Sequence, residues 1–175
     1  MLKPITPPPM ITTSAVFFIW DNSNYPMTEM KFIADVMVGK LARWLRVLGF
    51  DAAYSNQYDD DEIIRRANAD HRVILTRDTR LAARKHNGRC LLIDSGDYRE
   101  QLRQVLGLLG LKDFNVFSRC LECNAVLEDI DRESAFEKVP AYVYLTHERF
   151  ARCPSCERIY WHGTHAEEML KQLRL

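Results

Sequence analysis

The sequence lacks a charge excess of either sign: 24 Lys and Arg stand against 24 Asp and Glu in 175 residues. The chain as a whole therefore carries no nucleic-acid signal, and any affinity for a polyanion must come from local clusters of charge. It also lacks a long apolar run. No stretch approaches the roughly eighteen apolar residues that span a bilayer, which argues against a transmembrane helix. The six-residue apolar run Ala15–Trp20 is too short for the core of a secretory signal, and no small-residue cleavage site follows it cleanly. A cytoplasmic protein is expected. Nor does cysteine come in an even set: there are five, four of them in two CxxC pairs. In a reducing compartment that pattern favours metal over disulfides. No internal repeat is visible. What is present is a 47% hydrophobic content, enough for a real core, in a length that fits one domain with a small module attached.

The chain changes character twice. Residues 1–29 hold Pro4, Pro7, Pro8 and Pro9 among threonines and a serine, the composition of an extended or disordered arm. From Lys31 the pattern alternates between two periods. Strands are expected over 31–34, 51–55, 72–76 and 90–93, and helices over 36–48, 60–69, 79–86 and 97–110. Met37, Leu41, Trp44, Leu45 and Leu48 fall at helical spacing, and Gly49 is a suitable stop. Asp97 and Glu100 have the outline of a capping box. Strand and helix in strict alternation specify a parallel α/β sheet covered on both faces. Beyond about residue 114 the chain breaks into short segments around cysteines. The border is expected within 112–118, dividing the chain into an arm (1–29), an α/β domain (30–115) and a cysteine module with a carboxyl-terminal helix (116–175). Within the module, Ala141–Leu145 alternates like a strand and Arg158–Trp161 reads as a second.

Asp35, Asp60 and Asp78 each stand where an apolar run gives way to a helix. In a parallel sheet such junctions lie along one edge, so the three can converge. Asp is also a favoured helix N-cap, which is the plainer reading of any one of them. As a set, clustered carboxylates repel and call for a cation. A hard divalent ion, Mg²⁺ or Mn²⁺, of the kind used in phosphodiester hydrolysis is the economical partner. Asp94, at the end of the fourth strand, is a candidate for a further, water-mediated ligand. Asp61 and Glu62 are alternatives to Asp60. Lys40, Arg43 and Arg46 recur every three residues and share a helix face, either a solvated face or a clamp for phosphates. Arg77, beside Asp78, is placed to neutralise developing phosphorane charge or to pair with an acid.

Cys120-Leu-Glu-Cys123 and Cys153-Pro-Ser-Cys156 flank a 29-residue stretch, 124–152. Two CxxC turns brought together supply four thiolates, the closed tetrahedral shell of a structural Zn²⁺ site, with redox cysteines or an iron–sulfur cluster as the lesser alternatives. A ribbon core this small gains its folding energy from the metal. Cys90, within an apolar run, reads as a buried thiol. Tyr160 and Trp161 either pack the module onto the α/β domain or stack on bases. His162 and His165 are weaker candidates for phosphate contact.

Phe32-Ile-Ala-Asp35, Gly39 to Gly49, Asp60 to Ile64, Leu75-Thr-Arg-Asp78, Cys120 to Asn124, and Cys153 to Trp161 with Gly163 and His165 resemble the Mut-seven C-terminal RNase domain family. That resemblance covers about residues 31–173. It implies a PIN-like nuclease domain fused to a zinc ribbon, metal-dependent RNA cleavage, and acidic site positions at Asp35, Asp60 and Asp78. Asp94 matches a less regular fourth position. The amino-terminal arm has no counterpart in it.

The expected activity is thus endonucleolytic cleavage of RNA at an Asp cluster holding Mg²⁺ or Mn²⁺, with Lys40, Arg43, Arg46, Arg77 and Trp161 holding the strand. The rival is a non-catalytic RNA-binding or adaptor module in which the acids are helix caps. A third reading is DNA cleavage, because the choice of RNA rests on the resemblance alone. The oligomeric state is not legible.

Overall fold

Phe32, Ile33 and Ala34 are all fully buried, so β1 (Lys31–Ala34) has no solvent face beyond its first residue. A strand covered on both sides belongs to the interior of a parallel sheet. In a computed structural model, which describes residues 30–85 and 89–173, that is where it lies. With β2 (Asp51–Tyr54), β3 (Val73–Thr76) and β4 (Cys90–Leu92) it forms a four-stranded parallel sheet in the order β2-β1-β3-β4.

The two-residue period of the strands sorts the core into two layers. Phe32, Ala34, Val73 and Leu75 point to one face, packed with Leu41, Trp44 and Leu45 of α1 (Gly39–Val47) and Leu102, Val105 and Leu106 of α4 (Tyr98–Leu109). Ile33 and Ile74 point to the other, against Ile63 and Ala67 of α2 (Asp60–Asp70) and Leu81 of α3 (Thr79–Ala83). The expected α/β sheet with helices on both faces is the architecture observed. The arm expected over 1–29 lies outside the described residues.

Two helices are shorter than their periodicity suggests. Val36–Val38 is a 3-10 turn, and Met37, expected in the core, is 51% exposed. The Asp35 carboxylate accepts the Met37 amide and ends the strand abruptly, so α1 begins only at Gly39. Glycine is required there because a Cβ would come within 2.6 Å of the Tyr54 hydroxyl. α1 stops where expected. Gly49 has φ +94°, and a side chain there would run into the Asn115 carbonyl. α3 ends at Ala83, with Arg84 already extended. Only half of a capping box forms on α4: Asp97 accepts the amides of Arg99 and Glu100, while Glu100 turns to Ser95.

The second half forms an antiparallel sheet of β5 (Glu128–Ile130), β6 (Phe150–Arg152) and β7 (Ile159–Trp161), ordered β5-β6-β7. Two short helices, α5 (Arg132–Ala135) and α6 (Ala141–Thr146), lie between β5 and β6, and α7 (Thr164–Leu173) follows β7. The strand expected over 141–145 is therefore a helix. Pro140 sits at its N-cap, and Val143 is its buried position, packed with Ala135 of α5, Val139 and Phe150. Tyr142 and Leu145, which made the segment look like a strand, are exposed. This module has its own small core of Ala135, Val139, Val143 and Phe150. The stretch expected to be a border is not free of the first core: Phe114, Val116 and Phe117 pack on it, as do Leu121 and Met169. Among the described residues no helix is long and apolar enough to cross a membrane.

Candidate functional site: the carboxyl edge of the sheet and the four-cysteine centre

Parallel strands release their carboxyl ends along one edge, and the sequence places an acid at each release. Asp35 follows β1, Asp78 closely follows β3, and Asp60 opens α2. Asp35 is only 4% exposed. One carboxylate oxygen accepts the Met37 amide at 2.6 Å, and the other accepts the buried Thr76 hydroxyl. Among the described residues it has no ion pair. Desolvating a carboxylate without a cation is costly, and such groups concentrate at functional sites.

Asp78 is the N-cap of α3 and accepts the Arg80 amide at 2.7 Å. That amide bond, with Arg80's charge, lowers its pKa against partial desolvation. Asp60 is not a cap: Asp59 caps α2 by accepting the Glu62 amide at 2.8 Å. Arg84 reaches Asp60 at 3.7 Å and also pairs with Asp61. Glu62 is held at a pKa of about 2 by hydrogen bonds from Arg65 and Arg66. Asp94 is exposed, and Gln104 donates to its carboxylate at 3.1 Å.

The three principal acids share the edge but do not converge to ligation distance. Among the described residues, the only group of three or more metal-ligating side chains within 4.8 Å of one another is the cysteine set. The donor chemistry of the edge nevertheless suits a hard cation, which keeps several waters and needs only one or two carboxylates.

The basic residues divide. Arg46 is 4% exposed and donates to the carbonyls of Ala52 (2.8 Å), Leu121 (2.9 Å) and Glu122 (2.8 Å). It was expected to share a solvent-facing stripe with Lys40 and Arg43, and it does not. A helix turns about 100° per residue, so by the third member the stripe has rotated under the cysteine module. Arg46 is thus a structural clamp, and its buried guanidinium is not free to grip a strand. Lys40 and Arg43 remain exposed. Lys40 Nζ lies 4.0 Å from the centroid of the Tyr98 ring, and Arg43 pairs with Glu122 at 3.1 Å. Arg77 has a buried Nε with no hydrogen-bond partner among the described residues, and its guanidinium lies close to Gly96.

The four cysteines meet as their spacing suggests. Cys120 and Cys156 Sγ are 3.6 Å apart, and Cys123 and Cys153 Sγ are 3.2 Å apart. Each CxxC turn folds alike. The second cysteine's amide points at the first cysteine's sulfur, and the next residue, Asn124 or Glu157, takes a positive φ. Cys120 and Cys153 are buried while Cys123 and Cys156 face outward. As thiols they differ in acidity. Burial opposes ionisation of Cys120, but hydrogen bonds led by the Cys123 amide and the Tyr160 phenol bring it down to about 6. Burial pushes Cys153 up to about 12. The cluster can hold a metal ion, and four sulfurs in this arrangement suit Zn²⁺. Cys90 is partly buried beside Ile33 and Ile63, and burial raises its thiol to about 11.

Tyr160 turns inward to Cys120 rather than outward to a base, and Trp161 packs in the module's own core, edge-on to His147. His162 is exposed and meets Phe117 edge-on. Several residues that join the two halves were not singled out from sequence. Asn124 accepts the Ala52 amide at 3.0 Å and donates to Asp51 at 2.7 Å. Arg119 donates to the Gly49 carbonyl at 3.1 Å. The available signal was an asparagine directly after a CxxC pair, where the turn demands a left-handed residue.

These features define a class: a parallel α/β domain with acids along its carboxyl edge, fused to a four-cysteine module. The model of the Mut7-C RNAse domain matches residues 30–173, and the chain belongs to that family. No curated protein and no solved structure gives a significant match.

Proposed function

We propose that this chain is a metal-dependent endoribonuclease that cuts RNA at the carboxyl edge of its parallel sheet. The single observation that carries this reading is Asp35: a buried carboxylate at the end of an inner strand, without an ion pair among the described residues, in a family of RNase domains. Asp35, Asp60 and Asp78 are the residues that would hold Mg²⁺ or Mn²⁺, with Asp94 at the margin. Such an ion supplies an acidified, oriented water for in-line attack on a phosphodiester. Thr76 orients Asp35 through its hydroxyl. Arg77, beside Asp78 in sequence, supplies a positive charge to a phosphate oxygen. Residues 30–115 carry the chemistry. Residues 116–173, folded around a structural Zn²⁺, extend the surface that meets RNA. The protein works in the cytoplasm, where thiols stay reduced.

The test is cleavage of a labelled mixed-sequence RNA by zinc-loaded protein with Mg²⁺, with Mn²⁺ and with neither. Asp35→Asn and Asp78→Asn should each lose activity by roughly a hundredfold or more, the scale at which loss of a charge-stabilising group is felt. Unchanged cutting in Asp78→Asn would sink the mechanism. Retained RNA binding without any cutting, in wild type as in the variants, would favour the non-catalytic module.

A further inference from the structure

Between the amino-terminal end of α1, the end of β2 and the first CxxC turn lies an open cavity of about 580 Å³. It sits within the size range of small-ligand sites. Both halves of the chain build it. Lys40 and Arg43 come from α1, Tyr54, Ser55 and Asn56 from the end of β2, and Glu122 from the cysteine turn. Its position relative to the acidic edge follows from the strand register. Tyr54 pairs with Ala34, the residue before Asp35. The cavity therefore opens beside the edge assigned above to cleavage.

Its chemistry is that of a phosphate site closed by an internal acid. Two exposed cations line it, and Glu122, the one acid in its wall, already neutralises Arg43 at 3.1 Å. Both partners of that pair are about half exposed, at 51% and 43%, so a better anion can displace the carboxylate at small cost. Arg46 forms the rear wall. Its hydrogen bonds to the Leu121 and Glu122 carbonyls fix the cysteine turn at the distance that leaves the cavity open. Gly39 gives up its side chain to the Tyr54 ring, which keeps that aromatic group in the wall.

We propose that this cavity is a subsite for one phosphodiester and its adjoining nucleotide in a single-stranded RNA, flanking the bond to be cut. The proposal rests on the ribonuclease reading above. Lys40 and Arg43 bind the phosphate, with Arg43 exchanging Glu122 for it. The strand is then held between the α/β domain and the cysteine module. A single strand is the fitting substrate because its bases can be splayed out, as a pocket of this size demands.

The experiment measures binding of a fluorescein-labelled single-stranded RNA by anisotropy over a range of salt, and cleavage of the same RNA with Mn²⁺. It uses the full zinc-loaded chain as wild type, as the double variant Lys40→Ala/Arg43→Ala, as Glu122→Gln and as Asp78→Asn. The double variant should bind about tenfold more weakly at low salt. Its salt slope should be shallower by about 0.7, as loss of the contact to one phosphate of a single strand requires. Glu122→Gln, which frees Arg43, should bind about two- to fivefold more tightly, a gain that misfolding does not produce. Wild-type affinity and slope in the double variant, or no tightening in Glu122→Gln, would overturn the subsite, as would absence of single-strand binding by wild type. The cleavage readout separates the two readings. Cutting lost in Asp78→Asn with the double variant binding normally leaves the nuclease and removes the subsite. Binding that depends on Lys40 and Arg43 with no Asp78-dependent cutting leaves the subsite and removes the nuclease.

Discussion

Three backbone carbonyls, those of Ala52, Leu121 and Glu122, depend on the one guanidinium of Arg46. Two of them lie in the turn that carries Cys120 and Cys123, so the side chain sets both the seat of the cysteine turn and the start of β2. Arg46→Ala leaves buried acceptors without donors, which is costlier than losing a surface contact. A loss of about 3 kcal/mol is expected, or a Tm lower by roughly 10 °C for a chain of this size. Arg46→Lys should recover only part of it, because one ammonium does not reproduce the planar fork. Arg43, one turn earlier, is the contrast. Its pair with Glu122 is exposed on both sides, and Arg43→Ala should shift stability by no more than about 0.5 kcal/mol. Thermal melts of the zinc-loaded proteins decide both. Equal effects at the two positions would show that Arg46 is not the clamp described.

The cysteine turns act at the level of whole elements. The first is stapled to β2 by Asn124, which accepts the Ala52 amide, and to α1 by Arg46. The link from Val116–Arg119 bonds to the end of α1 through the Val47 and Gly49 carbonyls. Removing the metal should therefore loosen more than its own module. With a strong chelator, amide hydrogen exchange should accelerate at Ala52, on β2, far more than at Ile74, on the inner strand β3. Equal protection of Ala52 with and without metal would show that the staple does not need the ion. This coupling also marks the limit of what periodicity reveals. The four parallel strands and their helices were legible because each buries a regular face, and the cysteines because ligand spacing is local. The role of Arg46 was not, since two of the three carbonyls that sequester its side chain lie 75 and 76 residues away in the chain. Residues 141–145 were misread because apolar alternation over so few positions fits either period. The acids were found as positions, but their separation is set by the local amides and cations that each one engages.

At the scale of the molecule, one carboxylate engages both halves. Asp51, at the start of β2, accepts Arg72 at 2.5 Å from the entry to β3 and Asn124 at 2.7 Å from the cysteine turn. It thereby ties an edge strand, an inner strand and the module together. Burial pushes its pKa up, but hydrogen bonds from Arg72 and Asn124 with the charges of Arg72 and Arg119 outweigh that and leave it below the ordinary value. A carboxylate whose folded pKa is depressed adds stability that is complete above its unfolded pKa, about 4. That stability is lost as pH falls through the lower, folded value. The Tm difference between wild type and Asp51→Asn should therefore be full and constant from pH 7 to about 5, and should close below about pH 4. Thiolate protonation also releases metal in acid, but it affects both proteins and cancels in the difference. A gap that stays the same down to pH 3 would mean that Asp51 joins the halves by shape and neutral hydrogen bonding alone. Closure would mean that its charge holds the halves of this chain together.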